Sequence, residues 1–260
     1  MGKSVNGIID VGVWTGNWPF VKLRYTELPS LQAKLRSVGV RQAFVAPIEG
    51  ILEQDPLRAN RELLEATRGD GFFSPVPIVD LSYANWREVV GLAAKDGRVK
   101  IVKLLPGYHM YEVNENVLEP LVELTQAHKL IISIQMRLED KRGMYPLLKV
   151  EDLDVVRVVK AVSYFTEQPF ILSYPYMAEL AQVLKSVDNL FIEIAGVEHA
   201  DVLLNLKDTY SLRQVLFGSH APFLIPEAIV AKLRLTDVQQ ADVDQVAFGN
   251  AERLLSWFER

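Results

Sequence analysis

The sequence predicts an α/β protein built as a single (β/α)8 barrel, a TIM barrel, that spans residues 1–260 and ends in extra C-terminal helices. A length of 260 residues suits one large α/β barrel. Short β-branched runs alternate with longer segments of helical period along the whole chain. An open doubly wound sheet has the same alternation, but the glycine-rich phosphate motif typical of many such sheets does not follow the first run. The count of eight strand–helix pairs also favours the closed barrel.

Eight apolar runs are predicted as strands, because parallel strands buried on both faces are almost continuously hydrophobic. The predicted strands are Gly7–Trp14, Gln42–Ile48, Phe72–Val79, Val99–Leu105, Leu130–Met136, Phe170–Tyr174, Leu190–Ala195 and Gln214–Ser219.

A helical segment follows each strand, and two more close the chain. In the second segment, Asp55 is a plausible N-cap with Pro56 at the first helical position. The predicted helices are Glu27–Val38, Pro56–Arg68, Tyr83–Lys95, Glu115–His128, Val150–Phe165, Met177–Ser186, Ala200–Lys207, Pro226–Leu235, Ala241–Phe248 and Ala251–Phe258.

Composition excludes several functional classes. Hydrophobic residues make up 49% and charged residues 23% of the chain, and its net charge of −5 comes without a basic stripe. Nucleic acid is therefore not an expected partner. No apolar stretch has the length of a membrane helix or the form of a signal peptide, so we expect a cytoplasmic protein. The absence of cysteine excludes thiolate metal sites, disulfides and a cysteine nucleophile.

Polar residues at the carboxyl ends of the strands are the candidate site, because chemistry in such barrels is located there. Two-residue alternation predicts that Asp10, Gly12 and Trp14 share one face of the first strand, and that Ser133, Gln135 and Arg137 share one face of the fifth. We expect Gln135 and His220 to face a pocket. For Arg137, Tyr176 and Asp80, a buried polar or rim position is the favoured interpretation. Lys103, within the fourth strand, and His109, in the loop that follows it, are further candidate site residues.

Two C-terminal motifs carry a resemblance to a known family. The segment Val215–Phe223 and the closing Phe248–Leu254, with its Gly249-Asn250-Ala251, occur in the order and spacing of the amidohydrolase-2 group of the metal-dependent hydrolases. Further matched stretches, such as Ile9–Gly16, extend the resemblance over almost the whole chain. It implies a TIM barrel that hydrolyses or decarboxylates small carboxylated molecules with a bound metal ion.

The resemblance also implies metal-ligand positions, and this sequence departs from the family at each of them. The His-x-His of the first strand falls on Gly12 and Trp14, and the histidines of the fifth and sixth strands fall on Gln135 and Tyr174. The aspartate of the eighth strand falls on His220. Because a catalytic zinc-type ion needs about three His or carboxylate ligands, we expect no metal and no other cofactor.

Three functional hypotheses remain open at this point. In the first, slightly favoured, the barrel is non-catalytic and binds a small, perhaps carboxylated, ligand, with Trp14 and Tyr174 filling the former metal site. In the second, His220 is the general acid or base of a metal-independent hydrolase or lyase. The third places a metal in a new site. Ligand-binding candidates are Trp14, Lys103, His109, Gln135, Arg137 and Tyr174, and the third hypothesis would use Asp10, Glu49, His109 and His220.

Two aromatic segments are ambiguous in the sequence. Trp18-Pro19-Phe20 is predicted either as a lid over the barrel mouth or as an exposed apolar contact surface. Trp257-Phe258 is predicted either to pack beneath the barrel or to meet a second subunit, so a homo-oligomer stays open.

Overall fold

Strands and helices alternate from one end of the chain to the other in the computed structural model, which describes residues 2–148, 150–184 and 187–259. Eight strands lie within these residues. They are β1 (Ile8–Thr15), β2 (Val40–Pro47), β3 (Phe73–Pro75), β4 (Ile101–Leu104), β5 (Ile131–Gln135), β6 (Phe170–Ser173), β7 (Leu190–Glu193) and β8 (Val215–Leu216).

The strands form a closed parallel ring, made of one arc of β1–β3 and a second arc of β4–β8. A parallel bridge between Ile78 and Lys103 joins the arcs on one side. On the other side, the Val11 amide donates to the Phe217 carbonyl and the His220 amide donates to the Gly12 carbonyl. The predicted barrel is therefore confirmed and the open sheet is wrong.

Helices cover the outside of the ring, close to the predicted positions. A four-residue helix after β2 was not predicted, and Ser186, the predicted end of the sixth helix, lies outside the described residues. The α-helices are α1 (Leu28–Ser37), α2 (Glu49–Leu52), α3 (Leu57–Ala66), α4 (Trp86–Lys95), α5 (Glu115–Ala127), α6 (Val155–Ser163), α7 (Leu180–Val183), α8 (Val202–Thr209), α9 (Pro226–Arg234), α10 (Gln240–Asp244) and α11 (Asn250–Leu255).

Alternation along the strands divides the apolar residues between two cores. On β4, Val102 and Leu104 pack outward against the helices, whereas Ile101 belongs to the core inside the ring. The lumen core also takes one residue from each neighbouring strand, such as Ile131 and Ile171. Lys103 lies two residues beyond Ile101, so its side chain also enters the lumen.

The first strand departs from strict alternation. Its register with β2 shifts between Asp10 and Val13, so Ile9, Val11 and Trp14 pack together in the lumen core. The predicted common face of Asp10, Gly12 and Trp14 is therefore wrong, because the irregularity inserts one residue into the alternation. Asp10 instead accepts hydrogen bonds at the seam with the segment after β8.

The end of the chain packs beneath the barrel. The Trp257 ring meets Phe191 of the lumen edge-on, with centroids 6.1 Å apart, and its indole N–H donates to the Glu167 carbonyl. This arrangement agrees with the first of the two predictions for Trp257-Phe258. No helix in the described ranges is long and apolar enough to cross a membrane.

Candidate functional site

A buried lysine lies at the centre of a polar layer in the lumen. Lys103, 2% exposed, donates from Nζ to Gln135 Oε1 at 3.0 Å and to Ser173 Oγ at 3.3 Å. Its ammonium also lies 4.9 Å from the centre of the Trp14 ring, within cation–π range. Burial lowers the pKa of Lys103 to about 8, although the nearby Glu193 carboxyl opposes this shift. The lumen thus holds a cation whose hydrogen bonds go to neutral groups.

Glu193 is a second buried charged residue of the lumen, and Gly218 makes room for it. Its carboxylate accepts hydrogen bonds from the backbone amides of Tyr174 and Ala195. A Cβ on Gly218 would lie 2.7 Å from Glu193 Oε2, which explains why this residue has no side chain. Burial raises the pKa of Glu193 to about 7, with the amide hydrogen bonds acting in the opposite direction. Glu193 was not among the predicted site residues, although the alternation of β7 places it inward.

His220 is enclosed by aromatic rings and both of its ring nitrogens are engaged. Its Nδ1 accepts from the indole N–H of Trp14 at 3.3 Å, and its Nε2 lies 2.7 Å from the Leu138 carbonyl. Because an indole can only donate, the imidazole is neutral with its proton on Nε2. Burial lowers the pKa of His220 to about 3. The ring therefore has no free lone pair to offer a metal or a substrate.

Tyr174 stacks on His220, with ring centroids 4.4 Å apart and an angle of 20°. Both residues have left-handed backbone conformations, with φ of 59° and 55°. Bulky residues seldom adopt this region, and such strain is concentrated at functional sites. The strand ends that carry metal ligands in the resembling family thus keep a specialised backbone while carrying other side chains.

Aromatic side chains from four loops close the mouth above this layer. Trp18, 2% exposed, meets Tyr108 and Phe223 edge-on and donates from its indole to Glu139. Phe20 stacks on Tyr145 at 5.1 Å. This position agrees with the prediction of a lid for Trp18-Pro19-Phe20. The lid also explains why the polar layer around Lys103 is excluded from water.

Arg137, a predicted ligand-binding residue, lies at the rim and is committed to protein partners. Its guanidinium makes a two-pronged ion pair with Glu179, donates to the Tyr174 carbonyl at 2.8 Å and lies 3.2 Å from Asp152 Oδ2. The Tyr176 ring is 3.9 Å beneath it. Although burial lowers the pKa of Arg137, the contacts with Glu179 raise it above its ordinary value.

His109 lies apart from the other candidates. It is buried beside Asp80, with Nδ1 3.7 Å from Oδ1, and stacks at 6.5 Å on Tyr111. Burial lowers its pKa, against the opposing effect of Asp80. The remaining predicted residues come together: Trp14 bridges His220 to Lys103, Gln135 holds Lys103, and Tyr174 covers His220.

The side chains at the mouth do not fit the metal ion that the resemblance implies. Gly12 has no donor atom, the Trp14 N–H points at His220, and the Gln135 carbonyl oxygen already accepts from a cation. The Lys103 ammonium lies 3.0 Å from the Gln135 carbonyl oxygen, so it would repel a divalent ion bound to that oxygen. In the described part of the chain, no three His, Asp or Glu side chains are grouped so as to hold a metal, including Asp10, Glu49, His109 and His220.

The open cavities at the loop end of the barrel include two of more than about 400 Å³. The larger, about 650 Å³, has Tyr174, Tyr176 and the segment Asp140–Arg142 among its walls. The smaller, about 420 Å³, lies between the loop after β1 and the segment that leads into α9. Both volumes are in the range of small-molecule sites.

Comparisons with known proteins agree with this geometry at the level of family and fold. The family model described as Amidohydrolase (Amidohydro_2) matches residues 43–257. Curated protein sequences gave no significant match.

Solved structures with the same fold are numerous. An uncharacterized TIM-barrel protein from Bordetella bronchiseptica has a TM-score of 0.70 and 17% identity, covering 98% of this chain and 100% of its own. The 5-carboxyvanillate decarboxylase of Sphingomonas paucimobilis has a TM-score of 0.71 and 14% identity, with coverage of 96% and 98%. A dihydroxybenzoic acid decarboxylase from Polaromonas, solved with manganese and 2-nitroresorcinol, has a TM-score of 0.74, 14% identity and coverage of 98% for both chains.

Proposed function

Because the chain belongs to the amidohydrolase family, we propose that it is a member in which a sealed, metal-free lumen has replaced the metal centre, and that it binds a small ligand without turning it over. The observation that carries this proposal is the double engagement of His220, between the Trp14 indole and the Leu138 carbonyl. A histidine held in this way can neither ligate a metal nor exchange a proton with a substrate unless one of these contacts breaks.

The electrostatics of the lumen support the same conclusion. In a metal-dependent member, a divalent cation supplies the positive charge that polarises the substrate and its attacking water. Here the cation at the mouth is the ammonium group of Lys103, which is 2% exposed and already bound to Gln135 and Ser173. An ammonium group enclosed in this way stabilises the protein's own polar groups instead of a developing charge on a substrate.

The arrangement of His220 argues against the alternative, a metal-independent hydrolase or lyase. A general acid or base works best with a pKa near the operating pH, and burial takes the pKa of His220 down to about 3. Its proton is on Nε2 and is donated to a backbone carbonyl. His220 would also have to reach a substrate through the cap formed by Trp18 and Phe223.

Turnover assays test this proposal. The purified protein would be incubated with 5-carboxyvanillate, 2,6-dihydroxybenzoate and simple lactones, with and without added Mn²⁺ or Zn²⁺, and the products followed by chromatography. We expect rates equal to those of buffer in every case. Turnover that is lost in H220N but kept in H199N, a variant of an exposed histidine, would establish the His220-dependent enzyme instead.

A further inference from the structure

The smaller of the two loop-end cavities is positively charged, although the chain as a whole carries a net charge of −5. Lys22 and Arg24 from the loop after β1 and Lys34 from α1 line it, and none of its lining residues is acidic. Lys34 is paired with Glu227 at the edge. Within the described ranges, Lys22 and Arg24 have neither an ion pair nor a hydrogen bond.

The other wall of this cavity is apolar. Its residues belong to the segment from Ala221 to Pro226, among them Leu224 and Ile225, and to α1, which contributes Leu31. Ile225 is 67% exposed, and Tyr25 and Val21 nearby are also exposed. Two unpaired cations beside an exposed apolar wall form a surface that an anion with a hydrophobic body would cover.

A residue with a strained backbone conformation lines the cavity. Tyr25 has φ of 58°, and its ring lies 5.2 Å from Lys34 Nζ. An aromatic residue held in the left-handed region costs free energy, and such residues recur at ligand clamps. With Tyr25 in this backbone conformation, Tyr25 and its neighbour Arg24 both line the cavity.

The larger cavity differs in its charge. Its acidic lining residues Asp140, Asp152 and Glu198 outnumber its cations Lys141 and Arg142, and both cations are already paired with carboxylates. An anionic ligand would meet net repulsion there. The charge of the two cavities therefore selects the smaller one for a carboxylate.

From these observations we infer that the cavity between Lys22–Tyr25 and Ala221–Pro226 binds a small monocarboxylate with an apolar body, the carboxylate between Lys22 and Arg24 and the body against Leu224 and Ile225. This inference rests on the proposed function, since it identifies the class of ligand that the barrel would hold without turning it over. A volume of about 420 Å³ accommodates a medium-chain fatty acid or a substituted benzoate.

Isothermal titration with octanoate, in the presence of EDTA, tests the inference. We expect a dissociation constant below about 1 mM for octanoate and at least fivefold weaker binding of 1-octanol and octylamine. Vesicles of phosphatidylcholine and phosphatidylserine form a second arm, because an anionic lipid surface offers the same chemistry. Co-sedimentation of the protein with these vesicles, combined with no octanoate binding, would overturn the inference.

Matched variants locate the binding site. The double variant K22Q/R24Q should bind octanoate at least about fivefold more weakly, because two unpaired cations are removed. K95Q/K160Q removes the same amount of charge at two exposed positions that do not line the cavity, so it should bind octanoate like the parent. I225E places a carboxylate at a residue that is already 67% exposed, so it should fold normally and lose binding. Equal affinity in all three variants would overturn the assignment.

Failure of this inference is separable from failure of the proposed function. If octanoate does not bind while turnover and metal binding are also absent, the cavity assignment is wrong and the metal-free lumen stands. If metal-dependent turnover appears, the proposed function fails whatever the titration gives.

Discussion

Two buried cations, Lys103 in the lumen and Arg137 at the rim, have opposite surroundings. Arg137 meets two carboxylates, a carbonyl and an aromatic face, and its pKa is raised. Lys103 donates to an amide and a hydroxyl, and burial lowers its pKa to about 8. Arg137 therefore has the surroundings of a structural ion pair, which joins the loop after β5 to the turn that precedes α7. Lys103 has the surroundings of a charge confined among neutral groups in the lumen.

The difference matters for function, because an unpaired buried cation costs more free energy than it contributes unless something else requires it. Glu193 partly supplies that requirement, because its carboxyl opposes the lowering of the Lys103 pKa that burial causes. We therefore expect Lys103 and Glu193 to contribute little net free energy of folding, whereas the ion pairs of Arg137 stabilise the rim. The following substitutions measure that contrast.

The largest loss of stability is expected from R137M. It leaves the Glu179 carboxylate and the Tyr174 carbonyl without their partner, and breaking a buried ion pair on one side costs about 3–5 kcal/mol. Urea unfolding at pH 7 measures the change. R142M is the control, since this arginine is fully exposed and solvent screens its pair with Asp140, so its loss should be far smaller than that of R137M. Equal losses in the two variants would contradict the structural role of Arg137.

The next largest effect is expected from G218A. Its new Cβ would lie 2.7 Å from Glu193 Oε2 and 2.9 Å from Glu193 Cβ, so the carboxylate must shift away from its two amides. Overpacking of this kind costs about 1–3 kcal/mol. At G12A the nearest atom would be 3.5 Å away, an ordinary contact, so that variant should lose far less in the same urea titration. A tolerated G218A would show that Glu193 is not confined as described.

An effect of intermediate size is expected from H220Q on the pH dependence of unfolding. The pKa of His220 is about 3 in the folded chain and ordinary in the unfolded chain, so only the unfolded chain takes up the proton between these values. The free energy of unfolding should therefore fall as the pH drops below about 6.5, by about 2 kcal/mol at pH 5. H220Q should lack this part of the decline. Parallel curves for the two proteins, measured by urea unfolding between pH 7 and pH 5, would contradict the burial of a neutral imidazole.

The smallest change at pH 7 is expected from K103M, within about 1 kcal/mol, because a partly neutral Glu193 can take up a proton when the ammonium is lost. The pKa of Lys103 is lowered, so the unfolded chain binds more protons between about pH 8 and pH 10.5 and the parent should gain stability there. K103M should lack this gain in urea unfolding at pH 7 and pH 9.5. A loss as large as that of R137M would place Lys103 among the structural ion pairs.

Much of this molecule was predictable from local patterns. Apolar runs such as Leu130–Met136 and the start of α3, where the Asp55 carboxylate accepts from the Leu57 N–H, are encoded by neighbours in the sequence. Lys103, Gln135 and Ser133 follow the two-residue period of their strands, so their inward placement could be derived.

Other features depend on contacts that no local pattern encodes. The register shift in β1 arises from pairing with β2, so the face of Asp10 was predicted wrongly. The ion pairs of Arg137 depend on Glu179 and Asp152, which lie far from it in the sequence. The seal over His220 combines Trp14, Phe223 and the Leu138 carbonyl from three separate strand ends. Sequence alternation places a residue inward, but only the assembled barrel determines which partner it finds there.

Metal content tests the central claim most directly. The protein would be purified without chelators, incubated with excess Mn²⁺ or Zn²⁺, desalted and measured by mass spectrometry of the elements together with thermal unfolding. The metal-free lumen predicts far less than one equivalent of either ion and an unchanged melting temperature. One tightly held ion per chain that is lost in H220N would contradict the account, because His220 could then not be engaged by Trp14 and Leu138 as described.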